Sequence, residues 1–80
     1  MTARSSAAEL GLTPREIDVL ELIAEGCTNR EISERLFISP KTTSIHVSRI
    51  LAKLDAENRV RAAATAHRLG LFDTGRSRVS

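Results

Sequence analysis

Between Ser39 and Leu54 the chain reads SPKTTSIHVSRILAKL, a stretch whose residue types and spacing suit contact with another molecule. Ser39 followed by Pro40 predicts a helix start: a hydroxyl that accepts from a free first-turn N–H, then a residue whose fixed φ suits the first helical position. Val47, Ile50, Leu51 and Leu54 fall at i, i+3, i+4 and i+7 and form an inward apolar stripe. The opposite face carries Lys41, Thr42, Ile45, Ser48, Arg49 and Ala52, with Ser44 on its flank, and no acid occurs from residue 39 to 54. Exposed helices ordinarily mix signs to gain i,i+4 pairs. Chance in a short segment accounts for the missing acids. So does a polyanionic partner, which repels acids, admits small side chains close to its surface and offers Ile45 a thymine methyl.

The remaining reactive side chains do not assemble into a catalyst. His46 and His67 sit on separate predicted helices, where packing or hydrogen bonding is their ordinary role. Cys27 is the single cysteine, so it cannot close an internal disulfide, and with two histidines it does not make up a structural zinc set. An inert, partly buried thiol is its default. Gly11, Gly26, Gly70 and Gly75 are isolated at element ends and offer no phosphate-cradling loop. No enzyme, metal or cofactor is expected.

Composition bounds the answer further. Eighty residues make one domain, with two aromatics, Phe37 and Phe72, and neither Trp nor Tyr. The core must be built from Leu, Ile, Val and Ala, which favours closely packed helices and argues against single-strand binding on aromatic platforms. No apolar run approaches the ~20 residues of a membrane span, and the MTARSSAAELG lead lacks the apolar centre of a signal peptide. A lone cysteine fits a reducing cytoplasm. Net charge is +2 but unevenly spread. Two basic and five acidic residues in 1–27 give −3, five and two in 28–54 give +3, and five and three in 55–80 give +2. Such asymmetry suits a small domain with one nucleic-acid face.

Four helices are predicted, at about 14–25, 30–36, 40–54 and 59–69, so the fold class is all-α, with a flexible lead or linker at 1–11 and a frayed tail at 72–80. Thr13 as N-cap, Pro14 at N1 and Glu16 at N3 spell a capping box, with Leu12 and Ile17 placed for a hydrophobic staple. This first helix reads as scaffold with its acids turned outward, stopped by Gly26. Asn29 is read as the cap of the second helix, and phosphate contact by Thr28, Asn29 and Arg30 is the competing role, since a helix N-terminus offers free N–H groups. Only Phe37 and Ile38 separate Leu36 from the Ser39 cap, the spacing of a helix-turn-helix. Asn58 caps the fourth helix, where Val60, Ala63, Ala64 and His67 line one stripe and Ala62 and Ala66 widen the small-residue surface. That stripe packs on its own domain, meets a twin across a two-fold axis, or does both on different faces.

From Leu12 to Leu71 the residues resemble the DNA-binding domain of LuxR/FixJ-type (GerE-like) transcriptional regulators: LTPRE, TNREISERL, ISPKT, HVSRILAKL and NRVRAA all stand in register. The resemblance implies a homodimer on duplex DNA, with helix 40–54 in the major groove and helix 59–69 making the dimer through Val60, Ala63, Ala64 and His67. It implies base contact by Lys41, Ser44, Ile45 and Ser48, and backbone contact by Thr28, Asn29, Arg30, Thr42, Arg49 and Lys53. The implied partners are double-stranded DNA, a second copy of the chain and RNA polymerase. Many members carry lysine at the positions of Ser44 and Ser48, and hydroxyls read bases less strictly than bidentate side chains. Thr43 stands where an apolar Val is usual, in a position expected to face inward. In this family the domain is usually the C-terminal output of a longer regulator, after a receiver, small-molecule-binding or ATPase module. The rival reading is a protein-interaction module of the same fold that turns its basic face to an acidic partner.

Overall fold

Each helix of this chain begins at a residue chosen for its oxygen and ends at one that turns left-handed. The computed structural model describes residues 10–70, which are all-α: α1 (Pro14–Ala24), α2 (Asn29–Leu36), α3 (Pro40–Leu54) and α4 (Arg59–Leu69). At the head of α1 both halves of the capping box form. Glu16 N–H donates to Thr13 Oγ1 at 3.1 Å and Thr13 N–H donates to Glu16 Oε1 at 3.0 Å. Ser39 Oγ accepts from Thr42 N–H at 3.1 Å, and Asn58 Oδ1 from Arg61 N–H at 2.9 Å.

The second cap differs from the expectation. Asn29 is the first residue of α2, and Thr28 is its cap, in a second capping box with Glu31 at 2.8 and 3.1 Å. Thr-x-x-Glu stands at 28–31 just as it does at 13–16, so the pattern was present in the sequence and the more strongly capping Asn masked it.

At the C-terminal ends the left-handed positions are Gly26, Phe37, Asp55 and Gly70. Cys27, Ile38 and Ala56 then send their N–H groups back to Leu22, Ser33 and Leu51 at 2.9 to 3.1 Å, the six-to-one bond of a Schellman ending. Glycine takes that conformation without a Cβ clash and Asp tolerates it; Phe37 has neither advantage. It is also 94% exposed.

The core is aliphatic, as the shortage of aromatics requires. Val19, Leu20, Ile32, Ile50, Ala62 and Ala66 are completely buried, with Leu12, Leu22, Ile23, Cys27, Val47 and Leu54 around them. Helix α1 packs on α3 and α4, and α2 packs chiefly on α3. Leu10 packs against this core, and the Gly11 carbonyl accepts a hydrogen bond from Lys53. The rest of the lead, with Leu71 and the 72–80 tail, lies outside the described residues.

A small core leaves room for polar groups that must then find partners. Ser33 on α2 and Thr43 on α3 are both buried, and their hydroxyls meet at 2.7 Å. Each also lies within reach of the carbonyl four residues back, Asn29 for Ser33 at 2.9 Å and Ser39 for Thr43 at 3.2 Å, so one hydroxyl donates to its carbonyl and accepts from the other, whose single proton the two acceptors share. Thr43 thus faces inward as expected, and its hydroxyl helps join the two helices.

Glu16 corrects the expectation that the acids of α1 lie outward: it is 1% exposed. Besides Thr13 N–H, its Oε1 accepts from Lys53 Nζ at 2.6 Å, and Lys53 also donates to the Gly11 carbonyl at 2.7 Å. Burial pushes the Glu16 carboxyl up. The Lys53 and Thr13 hydrogen bonds and the nearby charges of Lys53 and His46 outweigh it and hold the group below the ordinary glutamate range.

Candidate nucleic-acid interface

Helix α3 is held by its inner face. Thr43, Val47, Ile50 and Leu54 are buried, at spacings of four, three and four residues, and Leu51 packs beside them. This anchoring turns Lys41, Ser44, Ile45, Ser48, Arg49 and Ala52 to solvent. Thus the four expected base-reading side chains, Lys41, Ser44, Ile45 and Ser48, share one exposed face. Ile45 remains 43% exposed, an apolar group displayed among hydroxyls and cations. Thr42 is half-buried, and its Oγ1 accepts from Ser39 Oγ at 2.9 Å, so its hydroxyl belongs to the cap.

The basic residues of the middle segment divide into two groups. Arg30 lies 3.5 Å from Glu34 and Arg35 lies 3.2 Å from Glu25, exposed pairs of small energetic weight. Lys53 is turned inward to Glu16 and Gly11, which removes it from the surface expected to meet a polyanion. Lys41 and Arg49 have no acidic partner among the described residues, and both lie on the exposed face of α3.

At the head of α2 the capping box uses Thr28 N–H, Thr28 Oγ1 and Glu31 N–H. The N–H groups of Asn29 and Arg30, at N1 and N2, point out of the helix end without an intrahelical acceptor. Asn29 is half-buried, and its Oδ1 accepts from the Arg59 guanidinium at 2.6 Å. A second nitrogen of that guanidinium donates to the Cys27 carbonyl at 2.8 Å. Arg59 was absent from the expected site; a half-buried arginine opening the fourth helix carries no sequence signal of its partner.

Helix α4 buries one side and exposes the other. Ala62 and Ala66 are fully buried against the domain and Ala63 packs at the core's edge. Val60, at 73% exposure, Ala64 and His67 face away at i, i+4 and i+7. Leu69, the last residue of the helix, is 42% exposed and lies on the side of Ala62 and Ala66, opposite Val60. His46 is half-buried on α3 with its Nδ1 buried and unpartnered, and among the described residues no group of His, Cys, Asp or Glu could hold a metal ion. Cys27 is buried. No helix of the described residues is long and apolar enough to cross a membrane.

Comparison with known proteins follows the same pattern. The chain is 56% identical over 57 residues to the transcriptional regulatory protein LiaR of Bacillus subtilis, covering 71% of this chain and 27% of that protein. It is 48% identical over 59 residues to the DNA-binding transcriptional activator DevR/DosR of Mycobacterium tuberculosis, covering 74% of this chain and 27% of the relative. It is 44% identical over 61 residues to the nitrate/nitrite response regulator NarL of Escherichia coli, covering 76% and 28%. The chain therefore spans little more than a quarter of the length of these relatives. Residues 10–66 match the family described as bacterial regulatory proteins, luxR family, a span that takes in all of α1, α2 and α3 and most of α4. The chain belongs to the luxR (GerE) family of bacterial regulatory proteins.

Proposed function

We propose that the chain binds duplex DNA and regulates transcription, with α3 in the major groove and α4 pairing two copies on a two-fold site. The observation that carries this reading is the exposed face of α3: Lys41 and Arg49 without acidic partners, Ser44, Ser48 and Ala52 small enough for close approach, and Ile45 half out of the domain. Cations supply affinity through phosphates, and Lys41, Ser44, Ile45 and Ser48 supply base contacts. Arg30, Arg49, Asn29 and the open N–H groups at the head of α2 are the backbone contacts; Thr28, Thr42 and Lys53 are engaged within the fold. The relatives' names, transcriptional regulator and DNA-binding activator, support the same role. For the second copy, Val60, Ala64 and His67 offer the outward stripe and Ala63 lies at its margin.

Binding of the 80-residue chain to a fluorescent random-sequence duplex across a salt series tests the reading. Log affinity falls against log salt with a slope of about −0.9 per neutralised phosphate. Lys41→Ala weakens binding and makes the slope shallower. Ile45→Ala costs about 1 kcal/mol on a site with thymine beneath it and close to nothing on one without. Negligible duplex binding at every salt concentration would reject the proposal in favour of an acidic protein partner.

A further inference from the structure

We infer that Arg59 is a positioning residue for DNA: from the first turn of α4 it fixes the side-chain amide of Asn29 at the head of α2 so that the amide donates to a backbone phosphate. The inference rests on the DNA-binding reading. Its basis is one contact and what that contact leaves over. Arg59 is half-buried, and its guanidinium spans two acceptors on one side of the α1–α2 turn, Asn29 Oδ1 at 2.6 Å and the Cys27 carbonyl at 2.8 Å.

A free asparagine amide can present either its oxygen or its nitrogen to a neighbour. With Oδ1 taken by a cation, the orientation is fixed and the group left over is the amide Nδ2–H2, which has no partner among the described residues. An N–H donor is what a phosphate oxygen needs; a carbonyl oxygen would repel it. Beside it stand the open N–H groups of Asn29 and Arg30 at the positive end of an eight-residue helix. Arg59 itself is drawn back onto the turn, so its charge supports this donor cluster from behind. The Glu31 carboxylate makes its hydrogen bond to Thr28 N–H at 2.8 Å and none to the Asn29 amide.

The arrangement also ties the two proposed interfaces together. Arg59 is the first residue of the helix whose outer stripe meets the second copy, and Asn29 is the first residue of the helix that meets the backbone.

A double-mutant cycle on duplex affinity tests the inference, using the 80-residue chain and a random-sequence fluorescent duplex at a temperature where melting curves show every variant folded. Asn29→Ala and Arg59→Met each weaken binding roughly three- to tenfold, the worth of about one hydrogen bond. The double variant binds no worse than the weaker single one, because Arg59 acts through Asn29. The salt slope changes little in Arg59→Met. Full additivity overturns the inference, as does a slope reduced by about 0.9, which would make Arg59 a phosphate contact in its own right. Parent-like affinity in Arg59→Met overturns it too. Should Arg59→Met not fold, Arg59→Lys retains charge and one donor. It is expected to lose affinity in the Asn29 background and none in the Asn29→Ala background; equal losses in both refute the coupling. A parent chain that binds no duplex refutes the DNA reading before any variant is made.

Discussion

Removing either member of the Glu16–Lys53 pair destabilises the domain, but the two removals are unequal, and acid reverses the larger one. Lys53→Met keeps most of the aliphatic stem and leaves a carboxylate that is 1% exposed with Thr13 N–H as its remaining hydrogen-bond donor. Stranding a buried charge costs about 3 kcal/mol, the low end for a broken buried pair because the Lys53 side chain is 30% exposed and water can follow it out. Glu16→Gln keeps an oxygen for Thr13 and leaves Lys53 its Gly11 carbonyl, so its cost is about 1 to 2 kcal/mol. For a domain this small, those values correspond to melting shifts of roughly 12–24 °C and 4–16 °C. The pH dependence separates the causes. In the parent the Glu16 carboxyl is held below its ordinary range, so its stabilisation is complete above the unfolded value and is lost as pH falls through the folded one. In Lys53→Met, burial acts against weaker opposition and raises the carboxyl. Protonation then relieves the stranded charge, and the gap to the parent narrows as pH falls through the raised folded value. Glu16→Gln has no carboxyl at this position and lacks that titration. Urea unfolding followed by helix circular dichroism at several pH values measures all three proteins. A Lys53→Met cost smaller than that of Glu16→Gln, or a gap that does not narrow in acid, would refute the assignment of Glu16 as a buried anion neutralised by Lys53.

Three further outcomes follow from other parts of the fold. Phe37→Gly raises stability by about 0.5 to 1 kcal/mol, since it relieves a left-handed aromatic that is 94% exposed; a loss in thermal melting would show that the ring packs on something. Thr43→Val and Ser33→Ala each cost less than about 1 kcal/mol, because the surviving hydroxyl, Ser33 or Thr43 respectively, retains its backbone carbonyl at 2.9 or 3.2 Å; a cost above 2 kcal/mol in denaturant unfolding would contradict the shared arrangement. On α4, Ala66→Leu overpacks a fully buried site and costs about 1 to 3 kcal/mol, while Ala64→Arg leaves the melting curve unchanged and abolishes pairing in sedimentation on DNA. Unaltered pairing in Ala64→Arg would remove that face from the dimer.

The helices were legible because their signals are local. Thr13-Pro14 with Glu16, Ser39-Pro40 and Asn58 each announce a start within a few residues, and the apolar stripe of α3 fixes which side faces inward without reference to any neighbour. The same period separates Ala62 and Ala66 from Val60 and Ala64, but which side of α4 is buried depends on where α1 lies. Periodicity alone does not contain that information. The head of α2 shows a nearer limit: with Thr28 and Asn29 adjacent, both good caps, the choice falls to the residue three places before Glu31.

What sequence reasoning missed was the destination of long basic side chains. In the stretch 28–54, Lys53 and Lys41 look alike as charges near the ends of one helix. The fold puts Glu16 of α1 beside the last turn of α3, across 37 residues of sequence, and Lys53 turns inward to neutralise it. Arg59 turns inward across 30 residues, toward the oxygen of Asn29. Both link elements around an aliphatic core, Lys53 joining α3 to α1 and Arg59 joining α4 to α2. The basic excess of the middle segment therefore overstates the cations available to a polyanion. The salt slope of DNA binding should reflect Lys41, Arg49 and Arg30 and be unchanged by Lys53→Met. A slope reduced by about 0.9 in that variant would return Lys53 to the phosphates and require Glu16 to release it on binding.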